Sequence, residues 1–234
     1  MISLTFPVML ACVIRAVIFD LDGTLVDSLA GIASSLNRVL EKNALPTHPQ
    51  QTVRTFIGNG ILKLVERAAP EKFDLEQVRE LTTEVARDYA ASWQHGTTPY
   101  PGVNEVLQSL HQSGISIAVL SNKPDIFCRE MTNYLFPDIS FSGVVGQREG
   151  IAVKPDPAGA LDLAHSLKLP VSELAFVGDS TIDIATGKNA GMRSVACSWG
   201  YHDLPALKAA SPDYMIDHIN ELPSIINQDS PIHV

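Results

Sequence analysis

Residues 17–28, VIFDLDGTLVDS, place two carboxylates directly after an apolar run. Asp20 and Asp22 are separated by one residue, and Gly23 lets the backbone turn tightly behind them. An aspartate can attack phosphorus as a nucleophile, and a second carboxylate beside it can protonate the leaving group and later deprotonate water. The stretch therefore predicts a nucleophile, Asp20, and a proton-transfer group, Asp22.

Further polar residues follow other predicted strands at the points where those strands end. They are Ser121, Asn122 and Lys123 after the second strand of the core, Lys154 after the third, and Asp179 and Asp183 after the fourth. Ligands of open α/β sheets bind beyond the carboxyl ends of the strands. We therefore expect these residues to converge with Asp20 and Asp22 at one edge of the sheet.

The four carboxylates in this group would repel one another unless a cation lay between them. An all-oxygen ligand set without histidine or cysteine favours Mg²⁺, which also binds substrate phosphate. Lys154 and the Ser121 hydroxyl are suited to hold that phosphate, as are the backbone N–H groups around Leu21 to Gly23. The pattern predicts a Mg²⁺ site for phosphoryl chemistry.

Strand-like and helix-like patterns alternate along the chain, which indicates an α/β fold with a mainly parallel, doubly wound, Rossmann-like sheet. The predicted strands are Ile14 to Phe19, Ile115 to Leu120, Phe141 to Val145, Leu174 to Val177, Ser194 to Cys197 and Tyr214 to Ile216. The predicted helices between them are Val103 to Ser113, Pro124 to Tyr134, Pro157 to Leu167 and Thr181 to Ala190.

The segment from Ser28 to Thr98 interrupts this alternation. It contains no convincing strand but several amphipathic helical patterns, the clearest being Leu75, Val78, Leu81, Val85 and Tyr89. A segment of this length exceeds what a crossover between strands needs. We predict an inserted all-helical cap domain over residues 28–97 and a catalytic core formed by residues 1–27 and 98–234, with the stretch GTTPYPG (96–102) as the return linker.

Composition limits the partners of the protein. The net charge is −9 over 234 residues, and no Lys/Arg-rich run is present, so nucleic acid is not an expected partner. Apart from the N-terminus, no apolar run approaches the ~20 residues of a membrane span, and no membrane partner is expected. The expected partner is a small phosphorylated metabolite, with the protein a monomer or a homodimer.

The cysteines and the N-terminus bear on localisation. Cys12, Cys128 and Cys197 are far apart and in no zinc-like spacing, which is typical of reduced thiols in a cytoplasmic protein. Residues 1–12 are apolar but carry no Lys or Arg for the positive region of a signal peptide. We expect a cytoplasmic protein, in which this stretch is a short leader or translation begins at Met9.

Several stretches together resemble the motifs of the haloacid dehalogenase superfamily. They are Asp20-Leu21-Asp22-Gly23-Thr24, Ser121, Lys154 and Gly178-Asp179-Ser180-Thr181-Ile182-Asp183, and they stand in the family's order. The resemblance covers nearly the whole chain from Val13 onward. The resemblance implies that Asp20 is the nucleophile and that Asp22 is the acid/base and a metal ligand through its backbone carbonyl. It further implies that Ser121 and Lys154 hold the phosphoryl group, while Asp179 binds Mg²⁺ and Asp183 supports the metal site.

Within that superfamily the chain is most similar to the phosphoglycolate phosphatases. The stretches that carry this similarity are Phe56-Ile57-Gly58-Asn59-Gly60, Ser121-Asn122-Lys123-Pro124 and Lys154-Pro155-Asp156-Pro157. The resemblance implies a phosphatase acting on 2-phosphoglycolate or a similar small phosphomonoester. The residues expected to bind that substrate are Gly23, Asn122, Lys123, Arg54, Gly58, Asn59 and Lys63, although Gly58 to Gly60 is equally typical of a helix–helix turn, and Arg54 and Lys63 of a solvated helix face.

Alternatives differ in the residues they require. The dehalogenases and phosphonatases of the superfamily lack the second aspartate, so Asp22 argues against them. The sugar phosphomutases carry a cap histidine soon after the first motif, where this chain has Ala30 to Ala33. A phosphomutase and a phosphate-binding regulatory module without turnover remain the alternatives to hydrolysis, and the seven histidines are expected to be structural or on the surface.

Overall fold

The apolar run before Asp20 forms the central strand of the molecule. The computed structural model describes residues 13–226, which fold around a six-stranded parallel sheet of strand order β5-β4-β1-β6-β7-β8. The strands are β1 (Ala16–Phe19), β2 (Val26–Asp27), β3 (Thr98–Pro99), β4 (Ser116–Pro124), β5 (Gly143–Gln147), β6 (Leu174–Gly178), β7 (Arg193–Cys197) and β8 (Tyr214–Ile216). The predicted α/β fold with a parallel Rossmann-like sheet is confirmed.

Helices cover this sheet and fill the long interval between β2 and β3. They are α1 (Leu29–Lys42), α2 (Gln50–Phe56), α3 (Ile61–Ala68), α4 (Leu75–Ser92), α5 (Val103–Gln112), α6 (Asp125–Leu135), α7 (Ala158–Leu167), α8 (Thr181–Asn189), α9 (Leu204–Ala209) and α10 (Leu222–Ile226). Short 3₁₀ turns occupy Val171–Glu173 and Ile219–Glu221. Among residues 13–226, no helix has both the length and the apolar character that crossing a membrane requires.

Strand β1 is buried on both faces, as strands of parallel sheets with helices on either side are. All of its residues are 0% exposed. Val17 and Phe19 belong to one apolar cluster and Ala16 and Ile18 to another. Because successive side chains of a strand point to opposite faces, this alternation indicates an apolar layer on each side of the sheet, which fixes the direction in which β1 delivers Asp20.

Strand β4 departs from its predicted end at Leu120. It continues to Pro124, with a register shift against β5 between Leu120 and Pro124. Ser121, Asn122 and Lys123 therefore belong to the strand rather than to the loop after it. Apolar alternation could not indicate this extension, because these side chains are polar and yet only 5–7% exposed.

Four helices, α1 to α4, form a helical insert between β2 and β3, which pair antiparallel at its two ends. Helix α4 begins with a reciprocal capping box between Asp74 and Gln77. Of its predicted apolar stripe, Val78, Leu81, Val85 and Tyr89 are buried. The first member, Leu75, is 55% exposed because it lies in the first turn, at the end of the helix.

Two sequence expectations stand apart from these observations. The division into a cap of residues 28–97 and a core of the remaining residues stays a prediction. The expectations about residues 1–12, including Cys12, lie outside the described part of the chain. Cys128 and Cys197 are free and buried.

Packing of the insert predicts a position-dependent loss of stability. Leu40 on α1 is 0% exposed and Leu161 on α7 is 41% exposed. Leu40→Ala should lower the free energy of unfolding by about 2–5 kcal/mol, because it leaves a cavity in packed surroundings. The matched change Leu161→Ala should cost less than about 1 kcal/mol. Urea unfolding measures both, and equal losses would contradict the described packing.

Candidate active site

The register of three neighbouring strands brings the predicted site together. Phe19, the last residue of β1, pairs with Val119 of β4 on one side and Val177 of β6 on the other. The residues that follow these strand positions therefore emerge at the same edge of the sheet. The Asp20 N–H also donates to the Val177 carbonyl at 2.9 Å, which extends the pairing of β1 with β6 to the first carboxylate.

Three carboxylates meet at this edge. Oxygen atoms of Asp20, Asp179 and Asp183 all lie within 4.8 Å of one another. Asp179 and Asp183 are only 2% and 1% exposed. The chemistry of this donor set, compact and all-oxygen, fits a hard divalent cation. We refer to these three residues below as the carboxylate cluster.

The loops after β6 and β7 hold two members of the cluster in place. Asp179 accepts hydrogen bonds from the Tyr201 N–H at 2.7 Å and the Thr24 hydroxyl at 3.1 Å. Asp183 accepts from the Ser180 hydroxyl at 2.6 Å, and Ser180 in turn caps α8. Hydrogen bonds from the turn after β1 and from the segments after β6 and β7 thus orient both carboxylates.

Lys154 supplies positive charge directly to the cluster. Its Nζ lies 2.6 Å from an oxygen of Asp183 and 3.0 Å from an oxygen of Asp20, and the residue is 3% exposed. Reciprocal hydrogen bonds with the Asn122 amide fix its backbone: the Lys154 N–H donates at 2.9 Å, and the Lys154 carbonyl accepts at 3.0 Å. Asn122 therefore aligns the lysine from the neighbouring strand.

The charge of one lysine leaves the cluster short of compensation. Burial, and then the neighbouring carboxylates Asp183 and Asp20, raise the pKa of Asp179 to about 8. Burial raises the pKa of Asp20 to about 6, although Lys154 acts in the opposite direction. The cluster is thus a site that gains from binding a cation.

Asp22 points away from the cluster. Its carboxylate pairs with the Lys123 ammonium at 3.0 Å and accepts from the Ser28 hydroxyl at 2.6 Å. Among the described residues, the group that can hold a metal ion includes Asp20, Asp179 and Asp183 but not the Asp22 side chain. This separation leaves the Asp22 side chain available for proton transfer.

A cavity of about 80 Å³ opens beside Asp20 and Asp22. Its other lining residues are Ile32, Ile57, Gly58, Gly60, Ile61, Leu64, Val85, Tyr89, Ser121, Asn122, Lys123, Pro124 and Phe127. Carboxylates and β4 form one end, and apolar side chains of the helical insert form the other. The cavity is small, since ~10–15 Å³ by this measure holds one water molecule.

Gly23 and Gly58 are predicted substrate residues that can act only through their backbone. Gly23 has φ +84°, and a side chain added there would overlap the Asp179 carboxylate. A glycine at this position therefore allows the turn that follows β1 to lie close to Asp179. Gly58 and Gly60 line the cavity, and the Gly58 carbonyl accepts from the Asn122 amide at 3.1 Å.

Three predicted substrate residues lie elsewhere. The Arg54 guanidinium donates to the backbone carbonyls of Tyr201, at 2.6 Å, and Gly200. Lys63 pairs with Glu66 and is 55% exposed, while the Asn59 side chain accepts from Arg67. None of the three lines the cavity in the described part of the chain. Their assignment to substrate binding stays a prediction without support from this geometry.

Sequence reasoning missed several residues that orient the site. Tyr201 holds Asp179 with its N–H, and its hydroxyl accepts from the Ser28 N–H at 2.8 Å. Tyr201 follows β7, so applying the strand-end rule to this strand as well would have found it. Ser28, 6 residues beyond Asp22, and Tyr89, in the apolar stripe of α4, gave no such signal.

Comparison with known proteins gives this arrangement a family. The model of the haloacid dehalogenase-like hydrolases matches residues 17–197, which include every member of the carboxylate cluster. The chain belongs to this family. The membership predicted from the sequence motifs is confirmed.

Named relatives point to a phosphatase. The phosphoglycolate phosphatase of Pectobacterium atrosepticum is 36% identical over 220 residues, covering 93% of this chain and 94% of that protein. The phosphoglycolate phosphatase of Salmonella typhimurium is 36% identical over 229 residues, covering 89% and 91%. A crystal structure of a predicted phosphoglycolate phosphatase from Haemophilus somnus superposes with a TM-score of 0.84 at 29% identity, covering 91% and 97%. The predicted enzyme class, a phosphatase, is confirmed.

The raised pKa values predict how pH affects the metal-free protein. Asp20 and Asp179 bind protons at higher pH when folded than when unfolded, so folding stability is present at low pH and is lost as pH rises through about 6 and about 8. The free energy of unfolding, measured by urea in chelator, should fall from pH 6 to pH 8. The free energy of unfolding of the Asp179→Asn protein should fall less steeply with pH. A slope equal to that of the wild type would contradict a raised pKa at Asp179.

Proposed function

We propose that this protein hydrolyses small phosphomonoesters through an aspartyl phosphate formed on Asp20. The observation that carries the proposal is the pairing of the carboxylate cluster with Lys154, beside a small cavity that Asp20 lines. A buried cluster of this kind is costly to fold and gains from a cation and a phosphate group, which makes a structural role a poor explanation for it.

Mg²⁺ is the cation we assign to the site. Asp20 and Asp179 would hold it with carboxylate oxygens and Asp22 with its backbone carbonyl, while Asp183 supports the site through Lys154 and Ser180. When bound, the ion would neutralise charge on the phosphoryl group and lower the repulsion between that group and Asp20. The donor set of hard oxygens suits Mg²⁺, which keeps part of its water shell and binds phosphate.

The side chains account for both halves of the reaction. A carboxylate oxygen of Asp20 attacks phosphorus while the bond to the leaving oxygen breaks, and Asp22 donates its proton to that oxygen. Asp22, now ionised, then takes a proton from a water molecule that attacks phosphorus. The bond to Asp20 breaks, inorganic phosphate leaves, and both aspartates return to their starting state.

Ser121 and Lys154 are assigned to the transferring phosphoryl group. Ser121 lines the cavity at the end that also contains Asp20, and Lys154 lies 3.0 Å from Asp20. A hydroxyl and an ammonium group donate hydrogen bonds to phosphate oxygens and stabilise the charge that moves during transfer.

We propose that residues 28–97 act as a cap over a core built from the rest of the chain. The apolar end of the cavity belongs mostly to this helical insert, and its small volume favours a compact leaving group. Contacts between insert and core include hydrogen bonds such as Asn122 to Gly58 and Arg54 to Tyr201. Such contacts allow a lid to close over substrate and exclude water.

We propose 2-phosphoglycolate as one of the best substrates. The relatives named above are phosphoglycolate phosphatases. Gly60 and Ile61, at the N-terminus of α3, line the cavity, and the free N–H groups of a helix start favour a small carboxylate.

Two alternatives to a phosphatase are a sugar phosphomutase and a regulatory module that binds phosphate. A sugar phosphomutase needs room for a sugar phosphate, whereas the cavity is about 80 Å³ and none of its described lining residues is a histidine. A regulatory module would bind phosphate without turnover.

Two further properties remain predictions. One is localisation in the cytoplasm, in keeping with the free thiols of Cys128 and Cys197, and the other is a monomeric or homodimeric state.

Asp20→Asn should abolish turnover, because the amide cannot form an acyl phosphate. Asp22→Asn should slow turnover by ~10²- to 10⁴-fold, because proton transfer is lost. Phosphate release with saturating Mg²⁺ measures both effects, and excess chelator should stop the wild-type reaction. Wild-type rates in Asp20→Asn protein that is free of other phosphatases would refute the nucleophile assignment.

A Mg²⁺-supplemented screen of small phosphomonoesters tests the substrate. 2-Phosphoglycolate should be among the best by kcat/KM, and hexose phosphates and nucleotides should be poor because of their bulk. A preference of more than ~10-fold for a hexose phosphate or nucleotide, or ~1.4 kcal/mol in transition-state binding, would reject 2-phosphoglycolate but leave the phosphatase assignment intact.

A further inference from the structure

The Asp22 carboxylate is held by a buried lysine. Lys123 Nζ lies 3.1 Å from one of its oxygens and 3.0 Å from the other. The side chains are 5% and 12% exposed, so water competes little with this pair. Lys123 was predicted to bind substrate, yet its ammonium group is paired with the carboxylate of the proton-transfer residue.

The third contact of this lysine comes from the helical insert. Lys123 Nζ donates to the Tyr89 hydroxyl at 2.9 Å, and Tyr89 is 4% exposed on α4. An ammonium group has three N–H donors. The Asp22 carboxylate and the Tyr89 hydroxyl both accept from this ammonium group, so two buried side chains from different elements anchor it.

Ser28 completes the fixation of Asp22. Its hydroxyl donates to the same Asp22 oxygen that lies 3.1 Å from Lys123. The carboxylate is thus held from the start of α1 and from β4, and through Lys123 from α4. Proton transfer requires the donor oxygen within hydrogen-bonding reach of the leaving oxygen, so small displacements of Asp22 would reduce the rate.

We propose that Lys123, itself anchored by the Tyr89 hydroxyl, is a positioning residue for Asp22. Proton transfer to the leaving group then depends on α4 of the insert being seated against β4. This inference rests on the proposed function, because it assigns the geometry of Asp22 to a residue that does not contact the reacting phosphorus. Lys123 also lines the cavity, so its role in substrate binding stays a prediction beside this one.

The proposal makes the effect of Lys123 depend on the leaving group. Departure of an alkoxide, as from 2-phosphoglycolate, needs a proton from Asp22. Departure of a carboxylate, as from acetyl phosphate, does not. The two substrates are similar in size, so they probe the same cavity, and kcat/KM reports steps up to leaving-group release.

Lys123→Met should lower kcat/KM for 2-phosphoglycolate by at least ~30-fold. Complete loss of proton transfer typically costs ~10²- to 10⁴-fold, and displacement of Asp22 removes much of that contribution. For acetyl phosphate kcat/KM should fall by less than about 3-fold, because departure of its leaving group needs no proton from Asp22. In an Asp22→Asn background, the same substitution should add little further loss for 2-phosphoglycolate, since the two residues act as one unit.

Tyr89→Phe tests the link to the insert and removes only one oxygen atom. It should lower kcat/KM for 2-phosphoglycolate by about 3- to 10-fold and leave acetyl phosphate unchanged, as expected when a group acts through proton transfer. Lys42→Met and Tyr134→Phe are matched controls, because both side chains are exposed, and they should change neither rate.

Several outcomes would overturn the assignment. Equal losses on both substrates for Lys123→Met and Tyr89→Phe would indicate a structural role, and a raised KM for both with unchanged kcat would indicate substrate binding. If Lys123→Met does not fold, as judged by circular dichroism, the same criteria apply to Tyr89→Phe. A wild-type protein that hydrolyses neither these two substrates nor any other phosphomonoester in the Mg²⁺-supplemented screen would instead refute the proposed function, and with it this inference.

Discussion

Repulsion between three closely spaced carboxylates, two of them buried, is the constraint on which the site depends. Asp20, Asp179 and Asp183 approach within 4.8 Å in surroundings that raise the pKa of the first two to about 6 and about 8. Lys154 offsets part of this repulsion. The negative charge that Lys154 does not compensate favours the binding of a cation, because a divalent ion supplies more positive charge than one ammonium group.

Besides the side chains that pair with these carboxylates, the fold meets this constraint with glycines in the surrounding backbone. Glycines stand where the chain passes the cluster: side chains added at Gly23 or Gly200 would overlap Asp179, and one added at Gly178 would overlap Asp183. The parallel register of β1, β4 and β6 then delivers each polar residue at the same edge. The absence of a side chain at these three positions therefore leaves the space that Asp179 and Asp183 occupy.

The cluster was predictable from the sequence, whereas its surroundings were not. Asp20 and Asp179 directly follow apolar strands, so local pattern and the strand-end rule suffice to place them. The strand-end rule can place Tyr201 near this edge, but no local pattern encodes its contact with Ser28, 173 residues away in the chain. Arg54 shows the same limit from the other side: the sequence supplies its charge but not its direction, and its guanidinium binds backbone carbonyls instead of lining the cavity.

The central claim is that Asp20 carries the phosphoryl group, and trapping the phosphoenzyme tests it most directly. The protein is mixed with Mg²⁺ and 2-phosphoglycolate or acetyl phosphate, quenched in acid within milliseconds, and reduced with borohydride, which converts an aspartyl phosphate to homoserine. Peptide mass spectrometry should find homoserine at position 20 and at no other aspartate, and none in the Asp20→Asn protein. Reduction at another residue, or turnover in the wild type with no reduced aspartate at any quench time, would contradict the account.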